Sequence, residues 1–299
     1  MPSDRSRTSS TSPSPSTSPS TSPTKQQRRE QAREQAREAR ARAERSQRRQ
    51  RRAVVGALLL AVVALVVVTA FALARSRAAD ATAADVVHPD PSPSLAAVAV
   101  PRTAEADTGG VPVSAAGVGV VGEGVRVDIY LDAMCPWCGV LERAHAADVA
   151  ELVAQGGVTV VYHPLAILDD ASAGTAYSTR AANAMGVVAD RDPDRFAAFV
   201  TALFAEGTQP QEGSSGLSDA ALGDVAREVG VPDDVADDFT AHTAEGRTFA
   251  GWAAAANTLA PRDDQGRVTT PTILIDGERW TGDFRVPGSL GEAITAAAS

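Results

Sequence analysis

The longest feature of the hydropathy pattern is an unbroken apolar run at residues 53–74, AVVGALLLAVVALVVVTAFALA, with no charge. A helix of that length measures about 33 Å, enough to cross the hydrocarbon core of a bilayer. Beyond it the pattern changes period several times. Residues 125–131 form a β-branched, largely apolar run that reads as a buried strand, and residues 158–162 form a second one, ending before His163-Pro164. Between them, from Trp137 to about Gln155, apolar positions Val140, Leu141, Ala144, Val149, Leu152 and Val153 trace one face of a helix. Helical patterning dominates residues 173–260. It includes a helix from Tyr177 and another opened by Asp192-Pro193, which carries Phe196, Phe199, Val200, Leu203 and Phe204 and ends at Gly207. A third is capped by Ser218, and one or two more lie between Asp234 and Leu259. After Pro271, two extended runs flank Asp276-Gly277, a two-residue hairpin signal, and Ser289 with Glu292 reads as the capping box of a last helix. The order is strand, helix, strand, a helical block, a strand hairpin and a helix, which is an α/β pattern.

Composition divides the chain at the apolar run. Residues 1–24 are almost entirely Ser, Thr and Pro, a composition with nothing to bury, and read as a disordered tail. Residues 25–52 hold twelve Lys or Arg against four Glu, with Glu placed three or four positions before Arg, and read as a basic juxtamembrane helix. Only Arg75 and Arg77 follow the run closely, so the positive-inside rule puts the N-terminus in the cytoplasm and the C-terminal bulk outside. Ala72-Leu73-Ala74 resembles a signal-peptidase site, but the long apolar run and long preceding region favour a retained, single-pass anchor. Net charge is +9 over residues 1–52 and −18 over residues 53–299, which argues against nucleic acid or anionic lipid as a partner of the exterior part. Residues 75–110, with HPDPSPS at 88–94, read as a linker, and a globular domain is expected to start near Val111.

The chemistry is concentrated in Cys135-Pro136-Trp137-Cys138, which contains both cysteines of the chain. Two thiols at the start of a helix read as a redox pair: the free amides and positive dipole end stabilise a thiolate on Cys135, and helix-start placement exposes the first thiol and buries the second. Attack by one thiolate and resolution by its neighbour is thiol–disulfide exchange. Other motifs are weaker. Gly117, Gly119 and Gly122 match a dinucleotide fingerprint, but a strand rather than a helix follows, so they read as a turn. His145 and His163 lack the thiol or histidine partners of a zinc site, and the reading calls for no metal and no cofactor.

Strand, CxxC, helix, a helical insertion, then Thr-Pro-Thr opening a strand, an Asp-Gly turn, a strand and a helix resembles the DsbA-like branch of the thioredoxin superfamily, over about residues 111–299. The resemblance implies a thioredoxin-like fold with the helical insert at about 173–260. It implies Cys135 as nucleophile and Cys138 as resolving thiol, Pro271 as a cis-proline beside them, and Trp137, Thr270 and Pro271 as substrate contacts. It also implies a buried acid on the active-site strand as proton acceptor. Asp128 is the nearest match, although it stands seven positions before Cys135 where six is familiar, while Asp132 orients the turn. The expected function is a membrane-tethered, extracytoplasmic oxidoreductase that oxidises cysteines of secreted proteins. Reduced or misoxidised secreted proteins would be its substrates, and a membrane oxidase (or reductase) would regenerate it. The same site serves equally for a reductase or isomerase, and a non-catalytic peptide-binding module is the rival from another class.

Overall fold

The computed structural model describes Gly56, residues 63–69 and residues 85–299. The chain divides into two units, Met1–Ala70 and Phe71–Ser299. In the first, residues 63–69 are helical, and the Thr69 hydroxyl donates back to the Leu65 carbonyl at 2.9 Å. Among the described residues no helix is long and apolar enough to cross a membrane. Most of the expected span at 53–74, and all of 1–24 and 25–52, lie outside the described residues.

The second unit is built on a six-stranded mixed sheet. Its strands are β1 (Val111–Ser114), β2 (Gly117–Val118), β3 (Val125–Asp132), β4 (Val158–Leu165), β7 (Thr272–Ile275) and β8 (Glu278–Arg279), in the spatial order β2-β1-β4-β3-β7-β8. The central pair β3 and β4 is parallel, with Asp128 opposite Val161 and Asp132 opposite Leu165, and α1 (Pro136–Gln155) is the crossover between them. The other pairings are antiparallel. β4 is buried at every position and β3 at most, as expected of central strands covered on both faces. β4 runs on through His163-Pro164, past the expected end at Tyr162. The β1 ladder stops at Tyr162, so the missing amide of Pro164 leaves no β1 partner unpaired.

Between β4 and β7 come α2 (Tyr177–Arg191), α3 (Phe196–Leu203), α4 (Asp219–Glu228), α5 (Asp233–Asp237) and α6 (Ala250–Leu259). The core is shared by sheet and insert: Phe196, Phe199, Leu203, Phe239 and Trp252 join Val127, Ile129 and Leu131 in one cluster. Ser218 caps α4, its hydroxyl accepting from Ala221 N at 3.1 Å. One element has no counterpart in the hydropathy pattern, a hairpin of β5 (His242–Thr243) and β6 (Gly246–Arg247) before α6. Strands of two residues carry no readable period. This one is held through Arg247, which donates to Asp219 at 2.8 Å and to the Phe239 carbonyl.

Three further expectations change. The segment expected as a linker is packed against the domain from residue 85 onward. Val86 is buried, Trp252 Nε1 donates to the Gly109 carbonyl at 2.8 Å, and Glu105 bonds Arg126 of β3. Its few apolar residues are offset by backbone groups that serve as partners. The last helix, α7 (Ser289–Ala297), has no capping box. Gly288 is its N-cap, and Ser289, one position inside, turns its hydroxyl back to the Asp283 carbonyl at 2.9 Å. The Asp192 side chain likewise makes no capping bond. By contrast, the hairpin expected at Asp276-Gly277 is present between β7 and β8, with φ of 48° and 84° at the two turn residues.

Candidate active site

Strand β3 delivers the chain to the first turn of α1, where Cys135 is the N-cap residue and Pro136 the first helical one. A thiol is a poor capping acceptor and makes no cap bond here, so the first-turn amides stay available to the sulfur. Cys135 and Cys138 are both free thiols and both buried. That corrects the expectation that the first thiol is exposed. Cys135 is only 4% accessible, whereas Trp137 between the cysteines is 52% accessible.

The two thiols are pushed apart in acidity. A hydrogen bond from the Cys138 thiol does most to stabilise the Cys135 thiolate. Burial opposes it, and the Thr270 side chain and the amides of Cys138 and Trp137 add to it, bringing Cys135 down to about 6. Burial, and then the neighbouring Cys135, push Cys138 well above an ordinary thiol. The arrangement supplies one reactive sulfur and one held in reserve.

The Thr270–Pro271 peptide is cis and lies beside the pair, with Cys135 Sγ 3.4 Å from the Thr270 carbonyl. Thr270, Pro271 and Trp137, the three expected substrate contacts, line one open groove of about 460 Å³ with Thr281, Phe284 and Arg285. Trp137 meets Phe284 edge-on, with ring centroids 6.3 Å apart. A larger hollow of about 630 Å³, between the C-terminal half of α1 and α7, touches neither cysteine.

The acids of β3 sit differently from expectation. Asp128 is tied to Arg126 at 2.7 and 2.9 Å and to His163 Nε2 at 2.8 Å. Arg126 in turn bonds Glu105 at 2.6 Å. Burial pushes Asp128 up, but the hydrogen bonds from His163 and Arg126 outweigh it and hold the carboxyl below its ordinary value. The acid coupled to Cys138 is Asp132, through a backbone hydrogen bond and through its charge. Its Oδ1 accepts from Met134 N at 2.8 Å and Ser178 Oγ at 2.7 Å, and its Oδ2 from Ile167 N at 2.9 Å and Leu168 N at 3.0 Å. Burial outweighs these bonds and raises the Asp132 carboxyl to about 7. The role expected of Asp128 therefore has no partner there. The residue six positions before Cys135 is Ile129, and the register flip turns it to the opposite face of β3.

His145 and His163 are not brought to a common site. His145 Nε2 bonds the Phe284 carbonyl at 2.9 Å, and His163 is stacked on Tyr130 while bonded to Asp128. Glu142, one turn beyond Cys138 and fully buried, has no signal in the sequence pattern that marks it. Among the described residues its one hydrogen-bond partner is the Thr201 hydroxyl at 3.4 Å, and burial raises its carboxyl to about 7. Gln209, whose Nε2 donates to the Cys135 carbonyl at 2.8 Å, is likewise unmarked. A polar residue in a loop of the insert carries no periodicity that would have singled it out.

A family model described as thioredoxin matches residues 123–292, from the start of β3 into α7. The chain belongs to the thioredoxin family. Among solved structures it is similar to the reduced form of the disulfide bond oxidoreductase DsbG from Mycobacterium tuberculosis, at 28% identity and a TM-score of 0.50, covering 63% of this chain and 93% of that one. The fold is also that of the MdbA protein, a thiol–disulfide oxidoreductase from Actinomyces oris, at 23% identity and a TM-score of 0.52, covering 70% and 98%. Among curated proteins it is 42% identical over 106 residues to the serine/threonine-protein kinase PknE of M. tuberculosis. That alignment covers 35% of this chain but only 19% of the kinase. Within this thioredoxin-family domain the cysteine pair, the cis-proline and the groove share one edge of the sheet, at the C-terminal end of β3 and the start of β7.

Proposed function

We propose that this protein is a thiol–disulfide oxidoreductase that donates disulfides to extracytoplasmic proteins, tethered to the membrane through residues 53–74. The observation that carries the reading is the unequal thiol pair, with Cys135 at about 6 and Cys138 well above an ordinary thiol. The likeness to the DsbG oxidoreductase supports it. In the oxidised enzyme a substrate thiolate attacks Cys135 Sγ and the Cys135–Cys138 bond breaks. The electron pair leaves on Cys138, which takes up a proton from Asp132, the neighbouring acid, rather than from Asp128. The substrate's second thiolate then attacks its own sulfur in the mixed disulfide and expels Cys135 as a thiolate. The substrate gains one disulfide, and the enzyme gains two electrons, which a membrane oxidase would remove. A stabilised Cys135 thiolate is a good leaving group, and that favours this direction over reduction or isomerisation by the same pair. Trp137, Thr270 and Pro271 would hold the substrate segment in their groove, where the Thr270 backbone would pair with an extended peptide segment.

Cys138→Ala tests the reading. It keeps Cys135, which can still form a mixed disulfide with a substrate, and removes the thiol that can displace the substrate from it, so it should accumulate reducible adducts on Cys135 in non-reducing gels, and replacing both cysteines should abolish them. A Cys138→Ala protein free of adducts would leave the peptide-binding module as the better account. Protease added to spheroplasts should digest the chain beyond about residue 75 if the tether and its N-inside orientation are right, which follows from the charge asymmetry around the apolar run.

A further inference from the structure

Three residues outside the cysteine motif converge on the backbone of the nucleophile. Gln209, in the loop after α3, donates from Nε2 to the Cys135 carbonyl at 2.8 Å. Its Oε1 accepts from Arg143 Nη1 at 3.2 Å, and that same nitrogen donates to the Phe204 carbonyl at 2.7 Å. A guanidinium has donors only, so Arg143 must face the amide oxygen, and the amide nitrogen is thereby turned to Cys135. Gly139 makes room for this. A Cβ at that position would lie 1.9 Å from Gln209 Oε1, so any side chain there would displace the amide. Gly139 and Arg143 stand one helical turn apart on α1, which puts the space and the anchor on the same face.

The Cys135 carbonyl also accepts from the Cys138 amide at 3.1 Å and, more weakly, from the Gly139 amide at 3.4 Å, and the Cys138 amide is one of the groups stabilising the Cys135 sulfur. That N–H is bonded to the carbonyl, makes no cap bond to the sulfur, and favours the thiolate from the first turn of the helix. A further donor on the carbonyl occupies a lone pair and weakens the carbonyl's hold on that N–H, leaving more of it for the sulfur. The amide also brings the positive end of its dipole to the nucleophile's residue.

We propose that Gln209 is a positioning residue for the nucleophile, anchored by Arg143 and admitted by Gly139, through which the helical insert sets how the first turn of α1 presents its amides to Cys135. The proposal rests on the oxidoreductase reading and adds to it that the insert tunes the reactive sulfur.

The test is alkylation of Cys135 by iodoacetamide against pH, followed by mass spectrometry, on reduced full-length protein in detergent. The wild-type midpoint is expected near the value of about 6 given by its surroundings. Gln209→Ala should raise it enough to cut the alkylation rate at pH 6 about threefold. Gln209→Glu keeps the size and the pairing with Arg143 but has no donor and adds negative charge, so it should raise the midpoint further. Gly139→Ala, with Gln209 intact, should reproduce Gln209→Ala, and the double variant should go no further. Gln211→Ala, exposed in the same loop, should leave the midpoint in place. A purely structural role would lower melting temperatures without moving the midpoints. Wild-type midpoints in both Gln209 variants would overturn the proposal and leave the oxidoreductase reading standing. A wild-type midpoint near the free-thiol value of about 8.5 would overturn that reading itself. If Gly139→Ala fails to fold, the two Gln209 variants decide alone.

Discussion

Asp128 and Asp132 lie on the same strand and, by the two-residue period, on the same face, yet their carboxyls are displaced in opposite directions. Asp128 meets a guanidinium and an imidazole, and its charged form is favoured. Asp132 meets only neutral donors, two from the Met134 amide and the Ser178 hydroxyl and two from the amides of Ile167 and Leu168, and is raised to about 7. Hydrogen-bond count does not separate the two, since both are well bonded. Asp132 is the more deeply buried, and its partners carry no formal charge to offset that burial, whereas the Arg126 guanidinium offsets it at Asp128. One end of β3 is therefore built as an ion-pair network that holds Glu105 and the preceding segment to the sheet. The other end is an acid able to hold or release a proton near neutrality, beside the buried thiol.

Replacing each acid by asparagine gives the largest contrast. Asp132→Asn turns an NH2 group toward backbone amides that have no other acceptor on that side. It should lower unfolding stability by about 3 kcal/mol in denaturant titrations at pH 4, where the Asp132 contribution is present, despite its near-identical shape. Asp128→Asn leaves Arg126 paired with Glu105 and should cost about half as much. Equal losses would show that partner charge does not distinguish the two ends.

The pH dependence separates them by sign. Asp132 has a raised folded value, so its contribution is fully present below the unfolded carboxylate value of about 3.9 and is lost as pH rises through about 7. The lowered value of Asp128 contributes above about 3.9 and is lost as pH falls through its still lower folded value. Wild-type stability minus that of Asp132→Asn should therefore shrink by about 3 kcal/mol between pH 4 and 7. The same difference for Asp128→Asn should change only below pH 4. Glu142 titrates in the same window as Asp132 and is cancelled in the subtraction.

A smaller effect concerns the reaction. If Asp132 supplies the proton that Cys138 takes up, Asp132→Asn should slow formation of the mixed disulfide between the oxidised enzyme and a thiol substrate about tenfold near pH 7, read by stopped-flow tryptophan fluorescence. Asp128→Asn should change it less than twofold. The smallest effect is that of Glu105→Gln. It loosens the Arg126 bridge at a partly buried position where Asp128 still pairs with the guanidinium, and should cost about 1 kcal/mol with no change in thiol chemistry.

Much of this layout was legible in the chain. Two cysteines within one helical turn, a β-branched run before them, a Thr-Pro opening the next run and an Asp-Gly between two extended segments are local signals, because a helix start, a buried strand and a tight turn each depend on residues within a few positions. The sequence alone thus determined the α/β order, the strand-to-helix setting of Cys135 and the hairpin at Asp276-Gly277. Tertiary structure decided which acid stands by Cys138, how deeply Cys135 is covered, that residues 85–110 pack on the domain, and that Gln209 reaches the nucleophile. Each of these depends on groups brought together from distant parts of the chain. A carboxylate's acidity, a thiol's accessibility and an amide's partner are set by what lies within a few ångströms, and proximity along the sequence does not report that.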